Sequence, residues 1–94
     1  MYKIGYSGRF KKDLKLLSKR SSLNFNILRD FIQELQKTGY LGIDPQYKPH
    51  KLTGNYSKHL ECHVLNDLLL IWLQNDPENT IILVRTGTHS DLFG

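Results

Sequence analysis

The run Leu68-Leu69-Leu70-Ile71-Trp72-Leu73 constrains this chain more than any other stretch. A strand with one wet face alternates apolar and polar residues, so an unbroken apolar run predicts a central strand covered on both sides, with Trp72 in the core. Its partners flank it in sequence. Thr80 to Thr86 is rich in β-branched residues and returns through the turn Asn75-Asp76-Pro77-Glu78-Asn79, while His59 to Val64 alternates just upstream. A length of 94 residues allows one domain, spanning 1–94, with a single modest core.

A layer to cover that sheet is encoded before it. From Arg9 to Lys19, Phe10, Leu14 and Leu17 recur at i, i+4 and i+7, with Lys11, Lys12, Lys15 and Lys19 around the rest of the wheel. That pattern predicts an amphipathic helix with a basic outer face. Ser21-Ser22 offers an N-cap, and a second helix follows to about Lys37, with Leu28, Phe31, Ile32 and Leu35 on one stripe and Gly39 as a left-handed stop. Tyr2, Ile4 and Tyr6 alternate with Lys3, Gly5 and Ser7, which predicts a first strand over residues 2–7. Residues 39–58, rich in Gly, Pro, Asn and Tyr, show no period and are expected to form a long ordered loop. Loops of that length in small domains are usually functional. The expected order is β-α-α-β-β-β, an α+β fold in which a small, mainly antiparallel sheet packs against an N-terminal helical hairpin.

Charge divides the chain. Residues 1–40 hold nine Lys/Arg against three Asp/Glu, a balance of +6, whereas residues 41–94 hold four against six, a balance of −2. The basic part suits a polyanion or an acidic partner, while all four histidines lie between positions 50 and 89. The lone Cys62 excludes an internal disulfide and any Cys-x-x-Cys motif, which fits a reducing compartment. No signal peptide opens the chain and no apolar stretch is long enough to cross a bilayer, so a cytoplasmic protein without membrane association is expected.

The last ten residues, Arg85-Thr86-Gly87-Thr88-His89-Ser90-Asp91-Leu92-Phe93-Gly94, put an imidazole and a phenyl ring in a segment that ordinarily frays. Read with His50, His63 and Asp67, His89 and Phe93 complete a candidate site. Alternation over 59–64 places Leu60, Cys62 and Val64 toward the helices and His59, Glu61 and His63 on the open face. Cys62 and His63 then point to opposite sides, against a Cys–His nucleophilic dyad, and Asp67 lies close enough to orient His63. The spacing of the histidines lacks the short pairs of structural zinc sites, so no metal and no cofactor is expected. Such a set suits phosphodiester cleavage in RNA. Imidazoles titrate near neutrality and can serve as base and acid, a basic side chain offsets phosphorane charge, and an aromatic ring stacks a base.

Tyr6-Ser7-Gly8 before a lysine-rich helix, Tyr47-Lys48-Pro49-His50-Lys51-Leu52-Thr53-Gly54, Cys62-His63-Val64-Leu65-Asn66-Asp67 before an aliphatic strand, and the terminal Arg85 to Gly94 stretch together resemble the YafQ-type toxins of the RelE superfamily. The resemblance implies the toxin half of a type II toxin–antitoxin pair, a ribosome-dependent endoribonuclease that cuts translated mRNA in the A site of the 70S ribosome without a metal. It implies His50, His63, Asp67 and His89 as the catalytic acid/base cluster, with Phe93, Arg85, Glu61 and Lys51 binding substrate. His59 matches no functional position of the family. The implied partners are mRNA on the ribosome and a cognate antitoxin whose acidic or amphipathic tail folds over the basic surface, with operator DNA reached only through that antitoxin. Two alternatives differ in class: a non-enzymatic ParE-like toxin that acts on DNA gyrase, and a degenerate toxin without activity. The gyrase-directed branch is expected to lack the His50, His63 and His89 set, which this chain has.

Overall fold

The computed structural model describes residues Met1–Gly94. Strand β1 spans Lys3–Tyr6, helix α1 Gly8–Arg20 and helix α2 Ser22–Thr38. Single 3₁₀ turns at Tyr40–Gly42, Pro45–Tyr47 and Gly54–Tyr56 surround a two-residue strand β2, His50–Lys51. Strands β3 (Leu60–Leu65), β4 (Leu68–Asn75) and β5 (Thr80–Gly87) follow, and helix α3 (His89–Phe93) ends the chain. The expected α+β layering holds, with two additions that no periodicity could announce, β2 and α3. His59, read as the start of a strand, lies just outside β3.

The sheet order is β1-β5-β4-β3-β2, with β1 parallel to β5 and every other pair antiparallel. Both helices start where the sequence offers a cap. The Ser7 hydroxyl accepts the Phe10 N–H, and the Ser21 hydroxyl accepts the Asn24 N–H. Gly39 ends α2 at φ 68°, and a Cβ there would meet the Tyr2 ring at 2.7–2.9 Å, so glycine is required twice over.

Two cores sandwich β4, as its unbroken apolar run demands. On the helical side Phe10, Leu17, Leu28 and Leu35 bury against Leu68, Leu70 and Trp72, joined by Cys62, Val64, Ile81 and Leu83. On the other side Leu69 and Ile71 are closed over by Leu92 of α3, with Leu52, Tyr56 and Val84 packed around them. The second face is therefore covered by the chain's own C-terminus and loop, and Leu92 is the residue that pins α3 down.

A bulge between β4 and β5 re-aims the end of β5. Ile71 pairs with Arg85 but Trp72 pairs with Leu83, leaving Val84 extra. Strict alternation from Ile81 and Leu83 would turn Arg85 into the helical core; the inserted residue sets it opposite Ile71 instead.

Candidate active site

Three imidazoles meet on the open side of the sheet. The ring centroids of His50 and His63 are 6.2 Å apart, and those of His63 and His89 are 5.4 Å apart. Each arrives from a different element: β2, β3 and the first residue of α3. The His63 side chain, 22% exposed, lies between the two more open ones.

Short as it is, β2 has a clear effect, because its register places His50 directly opposite Glu61. His50 donates through Nδ1 to the Lys48 carbonyl at 2.8 Å and presents Nε2 to Glu61 Oε1 at 3.1 Å. Both ring nitrogens of His50 thus face an acceptor. Glu61 is only 4% exposed, and its Oε2 has no hydrogen-bond partner. A buried carboxylate depends on neighbouring charge for compensation, and here the neighbours are His50 and, at 3.9 Å from Oε1, His63.

Asp67 does not orient His63. Its Oδ1 accepts both the backbone N–H and ring Nδ1 of His89, at 2.8 and 2.7 Å. The turn between β3 and β4 carries Asp67 to the entrance of α3, and the carboxylate holds a proton on His89 Nδ1 and orients the ring with Nε2 turned away from it. These two hydrogen bonds hold the Asp67 carboxyl below its ordinary range. The His63 imidazole is held below its ordinary 6.5, first by burial, with the charges of His89, Lys48 and His50 acting in the same direction and Glu61 opposing. Its surroundings therefore favour the neutral imidazole.

The other candidates separate. Cys62 is fully buried on the helical side, and burial followed by the Glu61 charge pushes its thiol far up, which removes it as a nucleophile. Arg85 is 9% exposed; its Nε and Nη2 donate to Asp13 of α1 at 2.7 and 3.3 Å, and the Thr86 N–H donates to the same carboxylate. Two of its nitrogens are thus already engaged. Lys51 is exposed beside His50, and Phe93 is 52% exposed with its ring at right angles to Tyr56, centroids 6.0 Å apart. No three His, Cys, Asp or Glu side chains converge in an arrangement that would hold a metal ion.

Helix α3 is built for position. Thr88 and Asp91 form a reciprocal capping box, legible beforehand as Thr88-His89-Ser90-Asp91. Gly87, at φ 151°, lets the helix fold back so closely that a Cβ would meet Asp91 Oδ2 at 2.8 Å. Arg20, at the end of α1, donates to both oxygens of Asp91, at 2.7 and 3.2 Å. Nothing in the spacing of the sequence pairs residues 71 apart.

A helical hairpin on one face of a short sheet, with titratable side chains gathered on the other, is the build of the small RelE-type bacterial toxins. Within that class the chain belongs to the family described as bacterial toxin of type II toxin–antitoxin system, YafQ, which matches residues 2–94. The mRNA interferase toxin YafQ of Escherichia coli K12 is 36% identical over 91 residues, covering 97% of this chain and 95% of that protein. YafQ in the crystal structure of the E. coli DinJ–YafQ complex superposes with a TM-score of 0.83 at 35% identity, covering both chains in full. A metal-bound toxin from Helicobacter pylori is 39% identical with a TM-score of 0.84, over 99% of this chain and 100% of that one.

Proposed function

We propose that this chain is an mRNA-cleaving endoribonuclease, the toxin of a type II pair, which cuts translated message in the ribosomal A site by metal-free acid/base catalysis. The observation that carries this reading is the row His50, His63, His89 with Glu61 and Asp67 set against its members. Neutral His63 takes the proton from the 2′-hydroxyl as that oxygen attacks the adjacent phosphorus. His89, protonated at both nitrogens and paired with Asp67, gives a proton from Nε2 to the departing 5′-oxygen. The products are a 2′,3′-cyclic phosphate and a 5′-hydroxyl, and the base and acid exchange protonation states. His50, paired with Glu61, and Lys51 beside it offset the charge that builds on the phosphorane. Arg85 stands behind them as a fixed charge oriented by Asp13, and Phe93 holds a base.

The neutralising partner is a cognate antitoxin, as DinJ is assembled with YafQ in the E. coli complex. The ribosome supplies the message in the geometry for attack, and the basic α1 face supports docking on ribosomal RNA.

Primer extension on a reporter mRNA in a reconstituted bacterial translation system tests the reading, comparing wild type with the His50→Ala/His89→Ala double variant, with and without ribosomes. Discrete ribosome-dependent cuts that vanish in the variant are the expected result. Uninterrupted translation in the presence of folded wild-type protein would overturn the proposal.

A further inference from the structure

Two rows of rings, rather than one, cross the open side of this protein. The first is the imidazole row. The second is His59, Tyr56 and Phe93, in which Tyr56 meets His59 at 5.4 Å between centroids and 84°, and Phe93 at 6.0 Å and 85°. The rows join at α3, whose residues His89 and Phe93 stand at i and i+4 on one face, one ring in each row.

Three features distinguish the second row from ordinary core packing. Tyr56 is anchored against the Leu69, Ile71 and Leu92 cluster, so its ring is fixed. Phe93 remains half exposed, although Leu92 already closes that core. His59 is folded back toward Tyr56 by a turn in which Lys58 takes φ 70°, an uncommon conformation for a residue with a Cβ, and its Nδ1 donates to the Ser57 carbonyl at 3.1 Å. A strained turn, a fixed ring and an exposed ring are thus arranged beside the proposed cleavage centre, with exposed Lys58 and Lys51 nearby in the chain.

We propose that Tyr56 and His59 extend the Phe93 contact into a nucleobase-stacking subsite, which holds an unpaired base of the A-site codon and aligns its ribose phosphate on the imidazole row. Stacking on fixed aromatic rings is tolerant of base identity yet tightens binding. The subsite therefore sets the reading position along the message more than the base. This inference rests on the endoribonuclease reading.

The test pairs protein variants with altered messages on ribosomes that carry an occupied P site and an empty A site. Each message bears one abasic nucleotide, at the first, second or third position of the A-site codon. For wild type at subsaturating protein, one of the three abasic messages is cut roughly tenfold more slowly, the size of one lost stacking contact. Tyr56→Leu, which keeps apolar packing, and His59→Ala lose about as much on intact message and nothing further at that abasic position, whereas Tyr56→Trp keeps wild-type rates. Circular dichroism melting confirms that each variant is folded. Independent losses that multiply, or a Tyr56→Leu protein that cuts like wild type, would overturn the subsite while leaving the endoribonuclease standing. A Tyr56→Leu protein that cuts like wild type but escapes neutralisation by antitoxin would reassign the row to that partner. Absence of cutting by wild type itself would instead bring down the parent reading.

Discussion

Burial lowers the pKa of His63, and Glu61 is the neighbour that opposes this. Because the proposed base works when neutral, the rate should rise as pH increases through a value below 6.5, the ordinary histidine value. Replacing Glu61 by Gln removes the charge that favours the imidazolium. The acid limb of single-turnover cleavage should then move to lower pH, while the plateau falls because His50 loses its anionic partner. A limb that stays in place, or moves up, would show that Glu61 does not govern the base; since coupled imidazoles titrate together, the limb belongs to the cluster. Stability carries the same sign. A depressed pKa contributes stability that is present above 6.5 and lost as pH falls through the lowered value. His63→Gln should flatten the pH dependence of the melting temperature in that window. Asp67→Asn should slow cleavage in the wild-type protein but add nothing in a His89→Ala background, since its carboxylate contacts His89 and not His63.

At the scale of elements, the site depends on a five-residue helix, α3, too short to stand unaided. Its clamps are the Thr88–Asp91 capping box, the buried Leu92, and the Arg20–Asp91 pair that ties it to α1. Arg20, followed by the backbone N–H of Thr88, holds the Asp91 carboxyl down at about 2. Even so the pair is partly exposed, and solvent screening leaves it little weight in global stability. Arg20→Ala should therefore leave the melting temperature nearly unchanged and lower the maximal cleavage rate by displacing His89 and Phe93. Arg20→Lys should recover part of it. An Arg20→Ala enzyme with wild-type turnover would show that the cap and Leu92 suffice. Phe93→Ala should weaken substrate binding in a folded protein, whereas deletion of residues 92–94 also removes a core residue and should unfold the end of the chain. The sequence made the helices and the three long strands legible, because burial imposes a period on them: 3.6 for Phe10, Leu14 and Leu17, two for residues 60–64, and none for the doubly covered run at 68–73. It did not disclose β2, since two residues carry no period, nor the pairing of Asp67 with His89, which depends on how tightly α3 folds back at Gly87. The positions of His50, His63 and His89 were visible as candidates; the carboxylate that holds each was not.

Charge is the property of the whole molecule that connects the site to its setting. The excess of +6 in residues 1–40 against −2 in the remainder is carried on the outside of the helical layer, where Lys11, Lys12, Lys15 and Lys19 are all exposed. The C-terminal end of α1 is joined to α3 through Arg20 and Asp91, so this basic face runs up to the edge of the imidazole row. A protein of this size spans 36 Å in its longest dimension, and such a stripe contacts only a few phosphates at once. Each lysine that neutralises a phosphate adds about 0.7–0.9 to the dependence of log affinity on log salt. Lys12→Glu/Lys15→Glu should therefore raise the protein concentration needed for half-maximal cleavage on ribosomes at physiological salt and lower that slope by about 1.5. The cleavage rate at saturation should not change, because neither lysine reaches the reacting atoms. Reversal of Lys37, which already pairs with Glu34 on the second helix, is a charge-reversal control away from that stripe and should leave the slope as it was. Equal slopes for the double variant and the control would mean that the basic helix is a solvated face, and that docking on ribosomal RNA relies on the loop lysines around the site instead.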